Sequence, residues 1–291
     1  MLALHAADPD SATDILEVET LMSGLLGLHT GLAGAASLSH LANGGKRVRA
    51  KLGLHAAHSL GLRKGAAVAI GAASELLHNA SLVHDDIQDG SQIRRGAATM
   101  WMDHGRDVAI CSGDLMISAS FGALASAPGA FLPEVLARMH HRVSEVIHGQ
   151  IADLTAKDEA GDLLARYRQI AAGKSAPLIA LPLELALIMA GLGDHVPKAE
   201  QAATAFAIGY QAADDIEDVS EDVANGGVNI VALLEAGMSR EAAISAARSL
   251  VIESYRLASE RALSLPSGCG EMLSAIANEC ARQAQRIVTP A

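Results

Sequence analysis

The sequence predicts an all-α protein, and three observations carry that prediction. Half of the 291 residues are apolar while only 2% are aromatic, with three Phe, three Tyr and one Trp. Alanine, the strongest helix former, dominates the apolar set. Strand-like alternation and β-branched runs are missing over any useful length, whereas apolar residues recur at helical spacing. No linker long or polar enough to divide the chain is present, so one domain of about ten or more helices is expected over residues 1–291.

Taken in order, Ser11 or Thr13 caps a first helix to about Gly27. Gly31 to Ser39 reads as a Gly- and Ala-rich loop. Asn43-Gly44-Gly45-Lys46-Arg47-Val48-Arg49 leads three cations into a helix that ends near Leu60, where Gly61 stops it. The next helix starts near Lys64 and ends in the cluster Asp85, Asp86 and Asp89, followed by Arg94 and Arg95. Another starts near Asp103 and passes Asp114, and Pro128, Gly129 and Pro133 break the pattern. A long helix, about Glu134 to Leu154, carries Gly149, Gln150 and Asp153, and a polar loop runs from Lys157 to Gly161. The following helix contains Tyr167, Gly173, Lys174, Ser175 and Pro177, and the proline predicts a kink there. Pro197 opens the helix that ends in Asp214, Asp215 and Asp218. After a polar loop (Glu221 to Gly227) and a short apolar turn (Asn229 to Leu234) come two last helices, about Ser239 to Leu263 and Gly270 to Ile287.

The chemistry is concentrated in the acidic clusters. Asp85 and Asp89 are four apart and Asp86 and Asp89 three apart, which predicts one shared helix face. Two carboxylates roughly 6 Å apart repel by about 2–3 kcal/mol at an effective dielectric near 20, so the cluster calls for a cation. A single D-D-x-x-D is equally a solvated helix end. Two copies, each closing an apolar helix, point to oxygen ligands for a hard divalent cation. Mg²⁺ fits, because it binds through one or two carboxylates plus substrate phosphates. Gly44-Gly45 with the following cations would suit a phosphate at a helix start; a solvated basic turn is the other reading.

A formal charge of −11 argues against a nucleic-acid surface. It also means that an anionic substrate needs metal or local cations. Three cysteines (Cys111, Cys269, Cys280) without a C-x-x-C suggest a reduced compartment, with all three packed as small hydrophobes. The histidines His55, His58, His140, His141 and His148 fit no zinc spacing. The first residues carry acids and no cationic start. The most membrane-like stretch, Ala176 to Gly191, contains Pro182 and Glu184 and falls short of the roughly 20 residues of a span. A soluble, cytoplasmic protein without a transmembrane segment is expected.

Together, G-G-K-R-V-R, H-D-D-I-Q-D…R-R-G, G-Q-x-x-D-L, G-K-S-A and G-Y-Q-A-A-D-D-I-E-D resemble the trans-isoprenyl diphosphate synthases, the polyprenyl synthetase family, in the family's order from Gly44 to Asp218. The resemblance implies a helical prenyltransferase bundle around a central cavity, a homodimer, and head-to-tail condensation of an allylic prenyl diphosphate with isopentenyl diphosphate. It implies that Asp85, Asp89 and Asp214 hold Mg²⁺, supported by Asp86, Asp215 and Asp218. Arg94, Lys174, Gln211 and Ser175 would hold the allylic diphosphate, and Lys46, Arg49, His78 and Arg95 that of isopentenyl diphosphate.

Product length would depend on the cavity floor, at Ala80 and Ser81. Small residues there suggest geranylgeranyl diphosphate or longer. Two departures stand out. Ala50 replaces the family's proline, and Ser220 to Leu234 has no lysine to close over the diphosphate, leaving Asn225 or Asn229 for that task or a looser closure. The alternatives are a non-catalytic subunit of such a synthase and a class I terpene cyclase.

Overall fold

The computed structural model describes residues 9–28, 30–127, 131–154, 163–219 and 228–286. Among the described residues, twelve α-helices follow one another: α1 (Pro9–Leu26), α2 (Leu32–Ala42), α3 (Val48–Ser59), α4 (Lys64–Gln88), α5 (Met100–His104), α6 (Arg106–Ala125), α7 (Leu132–Leu154), α8 (Leu163–Met189), α9 (Val196–Glu217), α10 (Ile230–Glu235), α11 (Arg240–Leu263) and α12 (Glu271–Arg286). The all-α expectation holds; the one sheet among these residues is a ribbon of β1 (Ile93–Arg94) and β2 (Ala97–Ala98).

The helices form two compact units. One holds α1 to α6, α7 as far as His140, and Leu181–Gly193. Its central element is α4, in which every residue from Ala66 to Leu77 is buried. A helix apolar all round needs cover on all sides, and α1, α3 and α6 supply it. Small residues let the backbones close up. A Cβ on Gly53 of α3 would lie 2.8 Å from Ile70 Cγ2, and one on Gly71 of α4 would lie 3.0 Å from Val18 Cγ2. Carbon contacts are optimal at about 3.5–4.0 Å, so both sites are filled as they stand.

The other unit holds α7 from His141, α8 as far as Ala180, and the described chain from Asp194 onward. Here α11 packs on α9, α10 and α12. Phe206 and Tyr255 meet edge to face with centroids 5.3 Å apart, a favoured geometry for the ring quadrupoles. Within this unit α7 and α8 cross where Gly149 meets Gly173: a Cβ on Gly149 would lie 2.5 Å from the Gly173 carbonyl oxygen.

Several sequence expectations change. Gly31 to Ser39 is no loop; all but Gly31 belongs to α2, because alanine favours helix and Ala36, Ser37 and Leu41 have a core to enter. The helix expected around Pro177 is α8, which also carries Pro182. Each proline removes one amide donor, while the residues from Ala176 to Leu187 are all buried, and that burial outweighs the loss. The apolar stretch is therefore longer than the sequence suggested. Tyr167–Met189, Lys64–Gln88 and Arg106–Ala125 all have the length and hydropathy of a membrane span, and the Lys64–Gln88 window is 83% buried within the protein. The turn at Asn229 to Leu234 is the helix α10. Cys269 and Cys280 are buried, but Cys111 is exposed.

Candidate functional site

The two acidic clusters are built alike. Asp89 is the C-cap of α4 and Asp218 that of α9. The Asp89 amide donates to the Asp85 carbonyl at 2.8 Å, and the Asp218 amide to the Asp214 carbonyl at 3.0 Å. In each cluster the middle carboxylate turns inward, leaving Asp86 2% and Asp215 1% exposed. The three aspartates therefore do not share one face, since adjacent helical residues point about 100° apart. Asp89, Asp214 and Asp218 are exposed and Asp85 is half-buried. These outer carboxylates lie at helix C-termini, where the negative end of the dipole adds to their repulsion. Such a site favours a cation.

The inner carboxylates are committed elsewhere. Arg94 donates from Nε to both oxygens of Asp86, at 2.8 and 3.0 Å, and its Nη2 lies 2.6 Å from Oδ1. Asp215 accepts from Gln211 Nε2 at 2.8 Å and from the Ile230 amide at 2.7 Å. Arg94 and Gln211, expected at the allylic diphosphate, thus each anchor an inner aspartate of their own unit.

The basic residues of the first unit gather around His78. Arg95 (φ 55°) and Gly96 (φ 80°) form the two-residue turn between β1 and β2; positive φ at both central positions marks a type I′ hairpin. Trp101 Nε1 and Thr99 Oγ1 each donate to the Ser91 carbonyl at 2.8 Å and pin the hairpin's base. Arg95 reaches the Gly44 carbonyl at 2.5 Å. Position 45 favours glycine, because its φ of 151° is rarely adopted by other residues; a Cβ there would also lie 2.6 Å from the mobile end of Arg95.

Lys46 is exposed and Arg49 half-buried. Arg47 is instead an internal brace, donating to Glu19 Oε1 at 3.0 Å and to the Leu41 carbonyl at 2.9 Å. Burial, reinforced by Arg49, Arg95, Arg94 and His40, holds the His78 imidazole well below its usual pKa. His78 is therefore neutral among cations. Ala80 is fully buried, and Ser81 donates to the His78 carbonyl at 2.8 Å.

In the second unit the Gly149–Gly173 crossing brings Lys174 Nζ within 2.9 Å of Asp153 Oδ2. Lys174, Asp153 and Gln211 line a cleft of about 60 Å³ with Tyr167, Ile170, Ala171 and Val228. Ser175, half-buried, follows on the same helix. Among the described residues no three His, Cys, Asp or Glu side chains converge on a ready-made metal site. The outer aspartates offer only oxygen, which fits a hard cation that keeps its waters and shares phosphate ligands.

Asn229 cannot close over a ligand. Its Nδ2 donates to the Asp215 carbonyl at 2.8 Å and its Oδ1 caps α10 by accepting from the Val231 and Ala232 amides. Asn225 lies outside the described residues. Sequence reasoning missed His40, Glu75 and Asn79, which lie behind the basic cluster. A polar residue beside His78 within an apolar helical run was the available signal for Asn79.

The all-helical fold thus carries two acidic helix ends, each with a buried inner carboxylate and more exposed outer ones, together with local clusters of cations. The polyprenyl synthetase family model matches residues 34–281, and the chain belongs to that family. A short chain isoprenyl diphosphate synthase of Methanothermobacter thermautotrophicus is 30% identical over 181 residues, 62% of this chain and 56% of that protein. The chain thus spans a little over half the length of the curated relatives it matches.

Solved structures share the fold. A decaprenyl diphosphate synthase from Rhodobacter capsulatus superposes with a TM-score of 0.82 at 22% identity, covering 94% of this chain and 97% of that one. A polyprenyl synthase from Caulobacter crescentus, complexed with calcium and isoprenyl diphosphate, gives 0.80 at 21% identity, covering 93% and 95%.

Proposed function

We propose that this protein is a Mg²⁺-dependent prenyltransferase that joins an allylic prenyl diphosphate head to tail (1'-4) to isopentenyl diphosphate. The observation that carries the reading is the matched pair of aspartate motifs, each with its inner carboxylate buried and its outer ones presented. Asp85 and Asp89 in one motif, and Asp214 in the other, would hold the metal, with Asp218 in support. Bound Mg²⁺ would neutralise the departing diphosphate.

The chain's own residues do the rest. Lys174, with Ser175 beside it, holds the allylic diphosphate, while Arg94 braces Asp86 and Gln211 braces Asp215, each within its own unit. Lys46, Arg49, His78 and Arg95 hold the diphosphate of isopentenyl diphosphate, where arginine gives bidentate geometry. Breaking the allylic C–O bond leaves a carbocation; the isopentenyl double bond attacks it, and a proton passes to the released diphosphate. Apolar helix faces shield the cation from water. Ala80 and Ser81 mark the floor of the tail's path, and their small size supports geranylgeranyl diphosphate or a longer product. A homodimer is the proposed working form.

The test is an incubation of the purified protein with Mg²⁺, isopentenyl diphosphate and allylic diphosphates of increasing length, with products read by mass spectrometry. Diphosphates longer by five-carbon steps support the reading. Hydrocarbons would indicate a cyclase, and no product with any primer a non-catalytic subunit.

A further inference from the structure

We infer that a hydrogen bond between His40 and Asn79 ties together the two halves of the isopentenyl-diphosphate anion site, which makes both of them positioning residues. The inference rests on the reading of Lys46, Arg49, His78 and Arg95 given above. One half of that site is the loop after α2, with the hairpin arginine docked on it. The other is His78 on α4. The halves are not continuous in sequence: Glu75 on α4 accepts from the Ala50 amide at 3.2 Å and lies 3.9 Å from Arg47 Nη1, and the His40–Asn79 bond adds a second tie at the turn that carries His78.

The C-terminal end of α2 holds the loop. The Leu41 carbonyl accepts from the Gly44 amide at 3.2 Å and from Arg47 Nη2 at 2.9 Å. The Gly44 carbonyl in turn receives Arg95 at 2.5 Å. The residue before Leu41 is His40, whose Nε2 lies 3.1 Å from Asn79 Oδ1. Asn79 is 1% exposed and adjoins His78, and its Nδ2 donates to the Glu75 carbonyl at 2.7 Å.

The amide orientation follows from that last bond. With Nδ2 spent on a carbonyl, Oδ1 faces the ring and His40 Nε2 carries the proton. Removing His40 would leave Asn79 Oδ1 buried without its donor, and a buried unsatisfied group costs more than a lost surface contact. The turn of α4 bearing His78 would then rotate or draw in water, shifting His78 against the loop while Glu75 still holds the start of α3.

The test measures steady-state kinetics with each substrate varied separately, for His40→Ala, His40→Gln, Asn79→Ala and the double variant. The expected result is a rise of roughly tenfold in KM for isopentenyl diphosphate in His40→Ala and Asn79→Ala, equivalent to 1.4 kcal/mol. KM for the allylic substrate and kcat at saturation should change less than threefold. The double variant should be no worse than either single one, because both remove the same bond. His40→Gln should recover most of the affinity, since its amide can donate to Asn79, and it carries the test should His40→Ala fail to fold.

Asn278→Ala is the control for general destabilisation. It breaks the 3.0 Å bond to Ser259 Oγ in the other unit and should lower Tm without moving either KM. Equal rises in both KM values, or none, in the His40 and Asn79 variants would overturn the inference. His78→Ala and Arg49→Ala, assayed alongside, separate the two failures. If they raise KM for isopentenyl diphosphate and the His40 variants do not, the tie alone is wrong. If they too leave it unchanged, the assignment of the anion site is wrong.

Discussion

Gly149→Ala adds one methyl group at the crossing of α7 and α8, on which the position of Lys174 depends. In an open helix this change stabilises by about 1 kcal/mol, because alanine is the better helix former. Here the new Cβ would sit 2.5 Å from the Gly173 carbonyl oxygen, 2.6 Å from its carbon and 3.0 Å from the Lys174 amide nitrogen. All three are backbone atoms, so no side chain can swing aside. Reaching an ordinary contact of 3.4 Å requires the helices to part by roughly 0.9 Å. Overpacking of this kind costs about 1–3 kcal/mol, which outweighs the propensity gain.

The same shift moves Lys174 relative to its partner Asp153 and to the cleft they line. A misplacement of about 1 Å in a catalytic site can cost 100-fold. We expect urea unfolding to show Gly149→Ala destabilised by about 1–2 kcal/mol, and its prenyl-transfer kcat/KM to fall 10- to 100-fold. Gly24→Ala is the matched comparison, since nothing lies within 4 Å of a Cβ there; it should be stabilised by about 0.5–1 kcal/mol with activity unchanged. A Gly149→Ala protein as stable and as active as the parent would show that this crossing does not position Lys174.

Inner and outer aspartates should separate stability from activity. Asp215→Ala, which strands the Ile230 amide and Gln211, should lower stability by about 2–4 kcal/mol in urea unfolding, whereas Asp89→Ala should stay within about 1 kcal/mol of the parent yet lose at least 100-fold in kcat. The reverse ranking would contradict the division of roles. Burial chiefly lowers the pKa of both His40 and His78 from the usual 6.5. The unfolded chain therefore binds more protons below that value, and stability present above pH 6.5 should drain away as pH falls toward the folded pKa values. Tm measured from pH 8 to pH 5 should drop less steeply in a His40→Gln/His78→Gln double variant; an unchanged slope would mean these rings do not govern it. Ala80→Phe should shorten the product by at least one five-carbon unit, read by mass spectrometry, and an unchanged length would take Ala80 off the tail's path.

The sequence makes the helices legible because alanine-rich apolar periodicity, the stop at Gly61 and the helix-opening Pro197 are local signals. It misjudges Gly31 to Ser39, where burial in the tertiary fold overrides propensity, and it stops the apolar run of α8 short, although it does place Pro177 and Pro182 in helix. The outer aspartates and Lys174 stand out as residue patterns. The inward turn of Asp86 and Asp215 does not, since which helix face meets the core depends on partners far away in the chain. Arg47 and Lys46 are adjacent cations in the sequence, yet one is a buried brace and the other is exposed; only the left-handed backbone at Arg47 (φ 49°) separates them. Asn229, read as a loop-closing residue, is a helix cap because its side chain satisfies orphan amides of α10.

The central claim is that the chain couples loss of an allylic diphosphate to capture of isopentenyl diphosphate. Quantifying inorganic diphosphate release against incorporation of labelled isopentenyl diphosphate tests it directly, with Mg²⁺ present and then chelated. The account predicts one diphosphate released per isopentenyl unit incorporated, none when either substrate or Mg²⁺ is withheld, and none from Asp89→Ala or Asp214→Ala. Diphosphate release without incorporation, or incorporation that survives chelation, would contradict it.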